Sequence, residues 1–371
     1  MRKIKHGILH IMIFFLKIIY AFIKLAPTRK KITFISRQSN RPSIDILTLQ
    51  KALRERHPEY EIVLLPKKMD NKLAYIPHMF TQMRHIATSR VVLLDSYCIV
   101  ISLLHHKSDL QVVQMWHAIG SMKKFGYAMV GKEEGRDPDI ARILKMHRGY
   151  DKILISSMSF IKDYQEGFDM DPATVVEIPL PKADLLTDPA YKEKKRRELY
   201  LKYPQLQEKK NILYCPTFRK DESPDTVDKV NELIDLVDFE KYNFIYKPHP
   251  LSIMEIDDER VMTRFDRAFD MFFISDYVIS DYSSVIYEAG LAGCPVFLYA
   301  YDCEEYRTKR ELNIDLASEV PTVFSGDPKK IIKAIEDDDF DEAAFKKFID
   351  HNVTMPAQGT CCDAIIDLLD L

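Results

Sequence analysis

Two histidines stand where the chain passes from an apolar run into a polar loop: His117 in QMWHAIGSMKKFGY and His249 in FIYKPHP. Each follows residues that read as a buried strand, VVQMW before the first and NFIY before the second. Strand exits are where open α/β sheets bind their ligands. Cations accompany both, with Lys123 and Lys124 after His117, and Lys247 and Pro248 immediately before His249. An imidazole that moves a proton, beside ammonium groups that neutralise developing charge, suits chemistry on a phosphate. A lone histidine is more often a satisfied structural residue; the flanking motifs shift the balance.

Two further motifs carry polar groups at strand exits. NILYCPTFRK (211–220) reads as a buried strand followed by Pro216, Thr217 and Arg219. A threonine hydroxyl and a guanidinium fork both suit phosphate, although a proline turn with a surface arginine is the commoner case. In SDYVISDYSSVIYEAGLAGCPVFLY (275–299) the strand ends at Ser280, and Asp281, Tyr282, Ser283 and Ser284 lead into a helix. Free amides at such a helix start make an anion site. Plain capping explains one serine but not the whole string. Glu288 lies one turn further on, where a nucleoside ribose would sit. The chain has only 11 glycines. It shows no GxGxxG after a strand, no GxxxxGK[ST], no zinc-ligand spacing and no GxSxG elbow.

These loops need a scaffold that aligns strand exits. The chain has 371 residues, enough for about two domains. Its 46% hydrophobic and 29% charged content is that of a globular protein, a net charge of -3 says little by itself about partners, and no nucleic-acid partner is expected. Strands are expected at 32–36, 61–65, 91–95, 111–116, 152–156 and 174–178, with helical spacing near 43–57, 72–89, 139–147 and 159–167. A second series follows at 211–215, 243–246, 277–280 and 295–299. This alternation predicts parallel sheets covered by helices. The predicted fold class is α/β, with two Rossmann-like doubly wound domains facing a cleft. Pro179 and Pro181 mark the junction, giving domains at 32–182 and 183–371 after a segment at 1–31. Six cysteines with no CxxC and no regular framework point to a reducing, cytoplasmic setting.

Residues 1–31 carry eight lysines and arginines and no acid, around the apolar run GILHIMIFFLKIIYAFIKLA. Lys3, His10, Lys17 and Lys24 recur every seven residues and form one stripe on a helix. A spanning helix would bury Lys17 at a cost of roughly 2.5–3.5 kcal/mol. Lying flat, the helix keeps these groups among headgroups and buries apolar residues such as Phe14 and Phe15. Anionic lipid then attracts the cations by about 1 kcal/mol each. The expectation is a peripheral membrane anchor; the plain alternative is a core helix covering a domain face.

Taken together, QMWHAIGSMKKFG, PLPKADLL, ILYCPTFRK, YKPHP and ISDYSSVIYEAGLAGCPVFLYAYDCEEY resemble the teichoic-acid CDP-glycerol glycerophosphotransferase family across roughly residues 90 to 310. The resemblance implies a GT-B fold and transfer of glycerol phosphate from CDP-glycerol to an undecaprenyl-diphosphate-linked acceptor, with release of CMP. It also implies a peripheral position on the cytoplasmic face of the membrane. His117 and His249 match the family's two essential histidines. Lys182, Pro216, Thr217, Arg219, Lys247, Pro248, Asp281, Tyr282, Ser283, Ser284 and Glu288 fall on the donor-binding side of that comparison. Ala118, Ile119 and Gly120 stand where the family usually has Gly-Thr-Pro, and Lys182 where it often has arginine. These departures keep CDP-ribitol and capsule-type polyol-phosphate polymerisation open as alternatives, with a nucleotide-sugar glycosyltransferase as a further one. No acidic cluster marks a metal site, so no cofactor is assigned and Mg²⁺ is left as an option.

Overall fold

A computed structural model describes residues 2–133, 135–219, 224–249, 252–265 and 269–371. The side chains of residues 2–5, 72 and 224 lie outside that description, and the expected membrane contact of Lys3 with them. The chain divides into two compact units. The first comprises residues 1–119, 124–184 and 354–371; the second comprises 120–123 and 185–353.

The first unit holds a six-stranded sheet built from β1 (Lys31–Ser36), β2 (Glu61–Pro66), β3 (Val91–Leu94), β4 (Gln111–Gln114), β5 (Lys152–Ile155) and β6 (Val175–Glu177). The order is β2-β1-β3-β4-β5-β6 and every pairing is parallel. β1, β3 and β4 are buried along their whole length, as expected of sheet strands covered on both faces. The order reverses between β1 and β3, which makes their carboxyl ends the switch point.

The second unit repeats the architecture with β7 (Lys210–Tyr214), β8 (Tyr242–Tyr246), β9 (Val261–Met262), β10 (Tyr277–Ser280), β11 (Val296–Tyr299) and β12 (Phe324–Ser325). Its all-parallel order, β12-β11-β10-β7-β8-β9, is that of a doubly wound dinucleotide-binding sheet. The switch point lies between β7 and β10, the two strands that end in Pro216-Thr217 and Asp281. The two edge strands escaped the sequence reading because each has only two residues.

The ten strands expected from sequence are all present, within two residues at either end. The domain boundaries differ: residues 1–31 are part of the first unit, and the junction falls after residue 184. Residues 120–123 belong to the second unit although they follow His117, and the last 18 residues return to the first unit. Specific bonds anchor that return. Thr354 N donates to Ser156 O at 2.7 Å. The Asp184 carboxylate accepts from the Cys361 and Cys362 amides at 2.7 and 3.0 Å, occupying free amides of the Cys361–Leu368 helix. Arg56 binds Asp363 and Asp367 on the same helix.

The N-terminal helix, Arg2–Ile23, has two apolar faces. Ile13 and Tyr20 are buried against the first unit, with Leu9, Leu16 and Ile23 packed beside them. Tyr20 Oη and His106 Nδ1 share a hydrogen bond of 2.7 Å. The outward face exposes Ile11, Phe14, Phe15, Ile18 and Phe22, from 39 to 70%. This helix is therefore partly a core element, as the plain alternative expected, and also presents an uncovered apolar surface. Lys17 is exposed and Lys24 half-buried.

Candidate active site

His117 is delivered by a strained turn at the exit of β4. Trp116 has φ 65°, in the left-handed region that costs a non-glycine residue of order 1–3 kcal/mol. Contacts of its ring with His117 at 4.3 Å, Phe125 at 4.9 Å and Phe168 at 5.1 Å help hold this conformation. The His117 ring meets the switch point of the first sheet. Its Nδ1 lies 2.9 Å from the Asp95 carbonyl just after β3, with the Gln38 side-chain amide 3.1 Å from the same nitrogen. A backbone carbonyl only accepts, so this contact assigns the proton to Nδ1, with the Gln38 amide turned to present its oxygen there, and leaves the lone pair on Nε2. Desolvation lowers the His117 pKa to about 4; the bond to Asp95 opposes the shift and the charge of Lys182 adds to it. The ring keeps an exposed edge and is neutral near pH 7, the state a proton acceptor requires.

Lys182 sits in the first unit rather than with the donor-side residues. It is buried, its Nζ lies 3.5 Å from Asp45 Oδ2, and it donates to the His117 carbonyl at 3.4 Å. Its backbone amide also donates to Asp45 Oδ1 at 2.8 Å. These contacts place it behind His117 as a support. Asp45, Asp95 and Gln38 had no sequence signal, because their roles come from strands and helices brought together by the fold.

In the second unit the switch point is organised by a buried ion cluster. Asp281 is fully buried and accepts from Thr217 N at 2.9 Å and Tyr282 N at 2.7 Å. Arg219 Nη1 donates to Asp281 at 2.5 Å and to the Thr217 carbonyl at 2.6 Å. The other side of its fork, Nε and Nη2, binds Asp302 at 2.9 and 3.0 Å. The guanidinium also lies 5.0 Å from the Tyr301 ring centre and 5.6 Å from that of Tyr282. Arg219 and Asp281, both expected on the donor side, thus also brace the loop after β7. Tyr282 is buried too, donating to Asp302 at 3.0 Å and stacking on Tyr306 at 3.9 Å. Asp302, in YDCEEY, is the partner that sequence reasoning did not assign.

Other predicted groups remain accessible on this unit. Pro216, Thr217, Arg219 and His249 line one small cavity with Ser252 and Tyr301. The His249 ring lies against Phe218 at 5.5 Å. Lys247 and Pro248 are half-buried at the exit of β8. Lys123 arrives from the segment after His117: its Nζ is 3.5 Å from Thr217 Oγ1 and 5.3 Å from the Tyr306 ring centre. Gly120 makes that route feasible, because at φ 73° a Cβ there would lie 2.4 Å from the Tyr287 ring. Lys124, by contrast, pairs with Glu166 in the first unit.

The DYSS string resolves into separate tasks. Ser283 Oγ accepts from Val285 N at 3.3 Å. Ser284 is the N-cap residue of the Val285–Ala292 helix and its hydroxyl makes no cap bond, while the Ile286 and Tyr287 amides already donate to the Ser283 and Ser284 carbonyls at 3.3 and 3.1 Å. Glu288 is in the first turn of that helix and half-buried. Burial pushes the neighbouring Cys215 thiol up to about 12; Lys247 opposes this, while Glu288 and Asp281 add to it. All six cysteines are free. Among the described residues no group of three or more His, Cys, Asp or Glu could hold a metal ion.

The chain is 31% identical to a teichoic acid ribitol-phosphate primase of Bacillus spizizenii, covering 76% of each protein. It is 28% identical to a teichoic acid glycerol-phosphate primase of Bacillus subtilis, covering 90% of each. It spans about half (51%) of a poly(ribitol-phosphate) polymerase of Bacillus spizizenii, at 27% identity. The wall teichoic acid polymerase TagF, soaked with CDPG, shares the fold at a TM-score of 0.77 and 19% identity, over 99% of this chain and 97% of that one. A UDP complex of MnaA from S. aureus is a more distant fold neighbour, at 0.56 and 14% identity over 91% and 95% of the two chains. The family model for CDP-glycerol:poly(glycerophosphate) glycerophosphotransferases matches residues 18–358, and the chain belongs to that family.

Proposed function

We propose that this protein moves a polyol phosphate from a CDP-polyol to a hydroxyl of an undecaprenyl-diphosphate-linked acceptor in teichoic-acid synthesis, releasing CMP. CDP-glycerol is the first reading for the donor. CDP-ribitol is the second, favoured by the 31% identity to a ribitol-phosphate primase. The carrying observation is that Thr217, with Lys123 beside it, His249 and the N-cap Ser284 of the Val285–Ala292 helix stand at the exits of the neighbouring strands β7, β8 and β10.

In this reading the Ser284 and Thr217 hydroxyls and the Lys123 ammonium, at the positive end of the Val285–Ala292 helix dipole, hold the donor diphosphate. Arg219, Asp281, Tyr282 and Asp302 keep the loop after β7 in shape. His117 Nε2 takes the proton of the acceptor hydroxyl, whose oxygen attacks the phosphorus bearing the polyol. The bond from that phosphorus to the bridging oxygen breaks, and CMP leaves with its negative charge stabilised by His249 and Lys247. Such a transfer rests on positioning and electrostatics, with no covalent enzyme intermediate. The outward apolar face of the N-terminal helix, flanked by Lys17 and Lys24, would seat the protein on the cytoplasmic leaflet.

Incubation of the full-length protein with acceptor and CDP-glycerol, CDP-ribitol or UDP-sugars, following CMP or UDP, tests the assignment. CMP release from one CDP-polyol is expected. Release of UDP alone would replace this reading with a sugar transfer.

A further inference from the structure

A second candidate ligand site lies in the first unit, at the amino ends of β4 and β5 and so at the opposite end of the strands from His117. A cavity of about 870 Å³ opens there. Lys107, Arg142, Lys145 and Arg148 line it, with Asp151 and Asp169 as its carboxylates. Both acids are already engaged. Asp151 accepts from Val112 N at 2.7 Å, and Asp169 takes the Arg148 guanidinium. Arg142 pairs with Asp139 at 3.1 Å on the surface, whereas Lys145, left-handed at φ 46°, makes no ion pair among the described residues. Ser102, another lining residue, is 5% exposed and its hydroxyl has no hydrogen-bond partner. A cation-rich hollow with an unpartnered buried hydroxyl suits an oxyanion with several acceptor oxygens.

The wall of this cavity is braced by the N-terminal helix and the turn after it. His106 is held by Tyr20 Oη, and Lys107 Nζ donates to the Ala26 carbonyl at 2.5 Å and to Thr28 Oγ1 at 3.3 Å. The same helix exposes Phe14, Phe15 and Phe22 on its outward face. A phosphate in the cavity and an alkyl chain beside the helix therefore match a single amphiphilic ligand. β4 has four residues, a rise of about 13 Å, so a group bound at its amino end is a non-reacting part of a substrate.

We propose that this cavity is a phosphate subsite that takes the diphosphate of a lipid-linked molecule. Its identification with the acceptor rests on the proposed function. The test uses full-length protein, the double variant Arg142→Gln with Lys145→Gln, and separately Ser102→Ala. Calorimetry with inorganic pyrophosphate, farnesyl diphosphate and CDP-glycerol is combined with flotation on phosphatidylglycerol vesicles. Pyrophosphate and farnesyl diphosphate should bind the double variant at least about tenfold more weakly, and Ser102→Ala should weaken them in the same direction. CDP-glycerol affinity should hold, and its absence from wild-type protein would undercut the donor reading without touching this one. Unchanged affinity for both diphosphates in the variants, or their displacement by CDP-glycerol, would overturn the subsite. Loss of vesicle binding alone would assign the cavity to bulk phospholipid and overturn the acceptor diphosphate as its ligand.

Discussion

Replacing Arg219 with alanine separates a loop-shaping role from a phosphate-binding one. The wild-type side chain is 10% exposed and makes four charge-assisted hydrogen bonds, two to Asp302, one to Asp281 and one to the Thr217 carbonyl. Removing it leaves two buried carboxylates without their counter-charge. Asp281 keeps the Thr217 and Tyr282 amides, and Asp302 keeps the Tyr282 hydroxyl. Breaking a buried pair of this kind costs about 3–5 kcal/mol. With a urea slope of about 2 kcal/mol/M for a unit of this size, the midpoint should fall by roughly 2 M. The assay is urea unfolding followed by near-ultraviolet circular dichroism, which reports the tyrosines packed around this cluster. Arg219→Lys should recover only part of the loss, because an ammonium cannot serve both sides of the fork. Asp302→Asn in the Arg219→Ala background should relieve part of the destabilisation by removing one stranded charge. A normal unfolding midpoint combined with lost CDP-glycerol affinity would refute this reasoning and return Arg219 to the donor diphosphate.

Other outcomes follow from the same geometry. His117→Ala and His249→Ala should each lower CMP release by roughly 10²–10⁴-fold with the fold intact; near-normal turnover in either removes that residue from the chemistry. Ser284→Ala should weaken CDP-glycerol binding while Ser283→Ala has the smaller effect, since only Ser283 is occupied by a backbone amide; equal effects would contradict the division of tasks. Deleting the N-terminal helix would strip Ile13 and Tyr20 from the core, so the membrane reading is better tested with Phe14→Asp and Phe15→Asp. That pair should weaken binding to anionic vesicles by about two decades or more without lowering thermal stability, and undiminished binding would exclude this face as the contact. Burial lowers the pKa of His106 to about 4 and of His147 to about 3. The unfolded chain therefore binds more protons than the folded one below about pH 6.5, and melting temperature should fall as pH drops from there toward 4. Asp95, pushed up to about 6 by burial, binds its proton in the folded state and opposes part of that fall; a flat profile would mean these imidazoles are solvated.

The sequence alone determined the parallel sheets and the strand exits at which the candidate residues stand. Runs such as ITFIS, VVLLD and NILYC are apolar throughout because both faces of a covered parallel sheet are buried. Their polar successors mark loops, so His117, Thr217, His249 and Ser284 were legible as candidates from local pattern. Linked motifs likewise carried the family resemblance. Tertiary structure decided what each polar group does there. Arg219 looks like a phosphate ligand in one dimension; its buried partners came only from the fold, where strand order places Asp281 beside Thr217 and a loop after β11 supplies Asp302 to the guanidinium fork. Lys182 and Asp45, far apart in the chain, pair behind His117 only because their helices meet in the first unit. The return of the C-terminal helix through Asp184 had no local signal either. The N-terminal helix was ambiguous for a related reason: hydropathy reports how apolar a face is, and only packing reports which face is already covered.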